Sequence, residues 1–210
     1  MPFTFPKIYP ILDSSFIPAN GRADFLRRLG SELAAAGVTI LEYRNKTGAD
    51  AEILADAAIL RATLNIKLIL DDRADLVDRT GFDGVHVDAG DISPAEARAL
   101  LGPSRIIGTF GGSDKFLPGI FDAPVDYLAI GPVFSTTTKL TGKAPIGVEG
   151  VRRLREQAGP NRILTAAAGI TLDTAPAVLA AGATTVAVSA AIFGVESPAD
   201  EFRRWLAELG

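Results

Sequence analysis

The sequence predicts an α/β chain folded as a single (β/α)8 TIM barrel. Eight short apolar runs, most of them nearly continuous in Val, Ile and Leu, are spread along its 210 residues. Stretches with helical spacing alternate with them. No Pro/Gly/Ser-rich linker and no low-complexity segment divides the chain, so one domain is expected across residues 1–210. Runs this rich in branched aliphatics fit parallel strands buried on both faces. Eight strand–helix repeats in about this length fit a closed barrel. A doubly wound open sheet is the competing arrangement.

The runs are KIYPILD (7–13), VTILEYRN (38–45), IKLILDD (66–72), GVHVD (84–88), RIIGTFG (105–111), DYLAIGPV (126–133), RILTAAAG (162–169) and TTVAVSAAIF (184–193). After the first, ADFLRRLGSELAAAG places Phe25, Leu26, Leu29, Leu33 and Ala36 at helical spacing and stops at Gly37. After the fourth, SPAEARALLG begins with Ser93 as an N-cap and Pro94 in the first turn. SPADEFRRWLAELG repeats that opening from Ser197. The segment after the fifth run, SDKFLPGIFDAP, holds two prolines and a glycine, which predicts a short or distorted helix.

Composition narrows the function classes. Hydrophobic residues make up 48% of the chain, enough for a sizeable core. The net charge is −4 and no basic cluster is interleaved with aromatics, which argues against a nucleic-acid partner. No apolar run has the length of a membrane span, and MPFTFPKIYP is too short and Pro-rich for a signal peptide. The absence of cysteine excludes disulfides, iron–sulfur clusters and thiolate zinc sites. The expectation is a cytoplasmic enzyme or binding protein acting on small molecules, with self-association left open.

A barrel of this kind carries its active site at the C-terminal ends of its strands. The second run ends with Glu42, Arg44 and Lys46, which alternation puts on one face. The third ends in Asp71 and Asp72, and the fourth brings His86, Asp88 and Asp91. The sixth opens into GPVFSTTTK, with Thr136, Thr138 and Lys139. Cations beside carboxylates suggest an anionic substrate bound with a divalent metal, since carboxylate and phosphate oxygens are what Mg²⁺ prefers. The small, Gly-containing ends of the last two runs could offer backbone amides to a second phosphate. Blander readings stand beside these. Arg44 and Lys46 could form a structural ion network with Glu42 or Asp71. Asp72 could cap the helix beginning RADL. His86 could be a packed, hydrogen-bonded core histidine.

At GPVFSTTTK, the R-x-K of YRNK, the DD ending the third run, GVHVDAGD, and AAGI followed by VAVSAAI, the chain resembles the thiamine phosphate synthase family. The resemblance runs from YPILD to VSAAIF. It implies a Mg²⁺-assisted transferase joining hydroxymethylpyrimidine diphosphate to a thiazole phosphate with release of pyrophosphate. It implies that Arg44, Lys46 and Lys139 bind the pyrophosphate and that Asp72 and Asp91 bind the metal. Thr136, Thr138, Ala168, Gly169, Val188 and Ser189 are the implied thiazole-phosphate contacts. Glu42, Asp71 and Thr109 complete the implied substrate-binding set. The chain departs from the family at Glu42, where Gln is usual, and at Asp71, where Asn is usual. TFGG replaces a serine-containing stretch and leaves Phe110 there, and Ala168 replaces a glycine. A thiazole tautomerase-like paralogue and an inactive phosphate-binding barrel are the alternatives.

Overall fold

Each apolar run supplies one strand, in all but the fifth case shorter than the run itself. The strands are β1 Ile8–Asp13, β2 Ile40–Arg44, β3 Lys67–Asp71, β4 Gly84–Val87, β5 Ile106–Gly112, β6 Tyr127–Ile130, β7 Leu164–Ala167 and β8 Thr185–Val188. The computed structural model describes residues 3–88, 90–135 and 144–210. All neighbouring strands are parallel, and β8 returns to β1 with Tyr9 opposite Ala187, so the sheet closes on itself and leaves no edge.

The helices are α1 Arg22–Ala35, α2 Asp50–Thr63, α3 Val77–Thr80, α4 Pro94–Leu101, α5 Gly147–Ala158, α6 Ala175–Ala180, α7 Ala190–Phe193 and α8 Pro198–Leu209. α1 buries Leu26, Leu29 and Leu33, and Gly37 ends it with a positive φ of 87°. Gly30 lets α1 approach α2 closely, because a Cβ there would lie 2.1 Å from Thr63 Oγ1. Ser93 and Glu96 form a reciprocal capping box at α4. Ser197 does not cap the backbone of α8; its hydroxyl donates to Asp200 at 2.8 Å instead. No helix among the described residues is long and apolar enough to cross a membrane.

One expectation about an element needs correction. TTVAVSAAIF is not one continuous strand. The strand stops at Val188, Ser189 turns to φ −115° and ψ −84°, and the amides of Ile192 and Phe193 donate back to the Ser189 carbonyl to start α7. The fifth crossover is short and distorted as expected, with no α-helix among the described residues and only a 3-10 turn at Ile120–Asp122. Pro118 and the left-handed Gly119 stand immediately before it, and neither continues a helix.

Strand alternation sorts the core into two shells. Leu41, Leu68, Leu70, Val85, Ile107, Leu128, Ala166 and Val186 face outward onto the helices in one large apolar cluster. Phe5, Tyr9, Ile40, Ile69, Tyr127 and Ala187 form a separate cluster inside the barrel. Gly108 makes room for the Tyr127 ring there, since a Cβ at Gly108 would lie 2.0 Å from it. Gly108→Ala should therefore destabilise the protein by roughly 1–3 kcal/mol or more through overpacking. Urea unfolding of the variant measures this; an unchanged midpoint would mean that the interior is not packed as described.

Candidate active site

The polar interior begins one layer above the aromatic one. Glu42 on β2, Asp71 on β3 and His86 on β4 all point inward and are buried. Tyr9 donates its hydroxyl to Glu42 Oε2 at 2.8 Å and lies 3.1 Å from the Tyr127 hydroxyl. Tyr127 in turn lies 3.1 Å from His86 Nδ1, and its ring stacks on the imidazole at 5.6 Å. Asp88 Oδ1 lies 3.5 Å from His86 Nε2. Burial pushes Glu42 up to about 7, although the charge on His86 opposes the shift. Burial alone would lower His86, but Asp88, Glu42 and Asp71 together raise it to about 9. The histidine is thus packed and hydrogen-bonded, as the bland reading had it, and it also stands among carboxylates.

At the rim the charges pair. Arg44 donates to Asp13 at the end of β1, and its Nε lies 3.4 Å from Asp71 Oδ2. Lys46 Nζ lies 3.1 Å from Asp71 Oδ2 and also pairs with Asp72. The ion network foreseen with Asp71 is therefore present, extended to Asp13 and Asp72. Burial raises Asp71 despite both cations, with Asp72 adding to the shift. Asp72 has the left-handed φ of 67° that Asp tolerates better than most residues. This turn brings its side chain to Asp91; burial and the Asp91 carboxyl raise it. The helical turn after Asp72 shows no side-chain cap, so the capping role foreseen for that residue is not the one it plays. Asp91 accepts the Asp88 amide at 2.8 Å.

The second half of the rim comes from β7 and β8. Ala168 adopts φ 76° and Gly169 φ 68°, and Phe134 donates its amide to the Ala168 carbonyl at 3.1 Å. A Cβ at Gly169 would lie 2.5 Å from the Ser135 carbonyl, so the loop after β6 rests directly on this turn. The Val188 side chain points into the outer core, leaving only its backbone to face the rim. Ser189 Oγ is buried with no hydrogen-bond partner. Thr109 faces away from the interior, and its hydroxyl donates to the Val87 carbonyl at 2.8 Å. Thr136, Thr138 and Lys139 lie outside the described residues.

The chain has counterparts among known proteins. The pattern of the family described as thiamine monophosphate synthase matches residues 8–192. The chain belongs to the thiamine monophosphate synthase family. A thiamine-phosphate synthase of Koribacter versatilis is 40% identical over 187 residues, 88% of each chain. That of Agrobacterium fabrum is 39% identical over 182 residues, covering 81% of this chain and 83% of the other. A solved thiamine phosphate pyrophosphorylase from Pyrococcus furiosus superposes with a TM-score of 0.78 at 26% identity, over 97% of this chain and 95% of that one. The family barrel expected from the sequence is the one observed.

The structure adds residues that the sequence reading passed over. Asp13 anchors Arg44, and its carboxyl sits below its ordinary range because the Ser15 hydrogen bonds and Arg44 outweigh burial. Asp13 ends its strand, so the rule that singled out Asp71 applies to it equally. Tyr9 and Tyr127 read as apolar members of their runs, yet their hydroxyls order Glu42 and His86.

Glu42 yields a pH-dependent stability. Its folded value of about 7 lies above the ordinary 4.5, so the folded state holds a proton that the unfolded state has released. Stability therefore falls as pH rises from the ordinary value to the folded one, and levels off above. Glu42→Gln keeps a partner for Tyr9 and removes this loss. Relative to wild type, the variant should gain on the order of 1–3 kcal/mol between pH 5 and pH 8, because removing the charge also weakens the hold on protonated His86. Urea unfolding at the two pH values tests this; a constant difference between the proteins would contradict it.

Proposed function

We propose that this chain is a thiamine-phosphate synthase, joining hydroxymethylpyrimidine diphosphate to a thiazole phosphate and releasing pyrophosphate. The observation that carries this reading is the meeting of Arg44 and Lys46 with Asp72 and Asp91 at one side of the barrel rim, in a chain of this family. In the reaction the bond between the pyrimidine methylene and the diphosphate oxygen breaks, and its electron pair leaves with pyrophosphate. The thiazole nitrogen then supplies the pair for the new C–N bond. Charge builds on the leaving group, so fixed cations contribute more than proton transfer does.

Arg44 offers a planar donor fork and Lys46 a compact point charge, and both exchange carboxylate partners for phosphate oxygens. Mg²⁺ fits beside them. Asp72 Oδ1 is buried without a hydrogen-bond partner, and the neighbouring Asp91 carboxyl raises Asp72, so a cation there would relieve an unfavourable pair. No group of three or more His, Cys, Asp or Glu among the described residues could hold a metal. The remaining ligands would be phosphate oxygens and water, the shell that Mg²⁺ keeps. Bound there, Mg²⁺ would supply charge neutralisation for the departing diphosphate.

The thiazole phosphate is assigned to the rim of β7 and β8, where the amides near Ala168 and Gly169 and the unpartnered Ser189 hydroxyl meet. Thr136, Thr138 and Lys139 are assigned to the space between the two phosphates on the family resemblance alone. A second reading, thiazole isomerisation, draws on the buried couple of Glu42 and His86, an acid–base pair for which the synthase reaction has little need.

Purified protein incubated with both substrates and Mg²⁺ tests the two together. Pyrophosphate and thiamine phosphate should appear in equal amounts. Thiazole isomerisation without pyrophosphate would favour the second reading, and binding without turnover would discard both. Excess chelator should abolish turnover and Mg²⁺ or Mn²⁺ should restore it; full activity in chelator would remove the metal role from Asp72 and Asp91. Lys46→Ala should lower kcat by roughly a hundredfold, the scale of losing one preorganised donor, and a kcat within a few fold of wild type would take Lys46 out of the leaving-group site.

A further inference from the structure

Between Arg44 and Lys46 lies Asn45, which alternation turns away from the rim and toward α1 and α2. It is buried, and its side-chain amide meets four partners. Nδ2 donates to the Tyr43 hydroxyl at 3.1 Å and to Glu52 Oε1 at 2.8 Å. Oδ1 accepts from the Ser14 hydroxyl at 3.1 Å and from the Gly48 amide at 2.9 Å. The orientation of the amide is fixed by these groups. Turned over, it would set an NH₂ against the Gly48 N–H and an oxygen against the Glu52 carboxylate.

Each partner belongs to a different piece of the scaffold. Ser14 begins the turn after β1, Tyr43 lies on β2, Gly48 lies in the loop carrying Lys46, and Glu52 lies in the first turn of α2. The network is anchored further back. Tyr43 donates to Asp56 of α2, and Arg22 of α1 grips the same carboxylate through Nε at 2.9 Å and Nη2 at 2.6 Å. Gly48 is required for space: a Cβ there would lie 2.3 Å from Asn45 Nδ2. The loop is thus pulled onto the scaffold at the residue between the two cations.

We propose that Asn45 is a positioning residue for the leaving group, fixing the backbone from which Arg44 and Lys46 reach the diphosphate. The proposal rests on the synthase reading. It acts through the loop, so it should affect the diphosphate-bearing substrate and leave the thiazole phosphate, held on the opposite rim, almost unchanged.

The test compares wild type with Asn45→Ala and Gly48→Ala, the second introducing a methyl group against the Asn45 amide. Two measurements are made: calorimetric affinity for inorganic pyrophosphate in the presence of Mg²⁺, and steady-state kinetics with both substrates varied. Each variant should bind pyrophosphate at least about tenfold more weakly and raise KM for the diphosphate substrate to a similar degree. KM for the thiazole phosphate should stay within about twofold. Gly48→Ala carries the test if Asn45→Ala does not fold. Unchanged pyrophosphate affinity in a folded variant overturns the proposal, and so does an equal loss for both substrates, which would mark a general structural role. Wild type that neither binds pyrophosphate nor turns over overturns the synthase reading and this proposal together. Wild type that does both, beside unaffected variants, overturns this proposal alone.

Discussion

The rim is organised around the buried carboxylate of Asp71. Alternation along β3 turns this side chain inward at the last strand residue, where only 4% of it remains exposed. Taking an ionised carboxylate out of water costs several kcal/mol unless it is paired. Its Oδ2 has no hydrogen-bond partner, so compensation comes from the two cations. Register supplies the first. Tyr43 pairs with Leu70, so the next residues along, Arg44 and Asp71, stand side by side. The loop supplies the second, since Lys46 folds back over the same oxygen. Burial still dominates and keeps Asp71 above its ordinary range. A neutral amide at this position, as is usual in the family, would bind the cations less strongly.

Below the rim, the same constraint acts on Glu42 and His86. Neither can reach water, and each is tolerable because the other is present. The charge on His86 restrains the upward shift of Glu42, and Glu42 with Asp88 and Asp71 keeps His86 protonated against its burial. Tyr9 and Tyr127 link the two through hydroxyls, so the aromatic layer of the barrel supports the polar layer directly. Close packing at Gly108 sets the place of the Tyr127 ring and, through it, the imidazole.

How far the sequence could be read depended on whether a residue's signal was local. Arg44, Lys46, Asp71, Asp72 and Asp91 were visible because they are charges at strand ends, and a parallel barrel gathers strand ends on one face. Asp13 met the same criterion, but a carboxylate before Ser14 and Ser15 reads equally as a turn cap, a role it also fills. Asn45 gave no such signal. It is a neutral residue between two cations, and its partners at positions 14, 43, 48 and 52 meet only in the folded chain. Thr109 entered through the family resemblance, whereas the inward position next to it at Gly108 turns Thr109 outward onto the Val87 carbonyl. The AAIF of α7 carries no period that separates a strand end from one helical turn.

Charge balance at the rim decides how an anion can enter. Among the described residues, two cations, Arg44 and Lys46, face the four carboxylates of Asp13, Asp71, Asp72 and Asp91. On the proposed reading, a diphosphate approaching these residues alone would meet cations already paired with carboxylates. Water-exposed charges at such a rim are screened over about 10 Å, but carboxylates half or more buried are screened far less. On the proposed reading, a divalent cation held between Asp72 and Asp91 would reverse the balance. Bound there, it would neutralise the pair that burial makes costly, and Lys46 could then turn from Asp72 to a phosphate oxygen. The carboxylates would then act as stand-ins for the phosphate oxygens. They hold Arg44 and Lys46 in ion pairs before substrate arrives, so that little side-chain freedom would be lost on binding. Asp71 makes this hold tighter than an amide would, and on the proposed reading it would compete with the diphosphate for the same two cations.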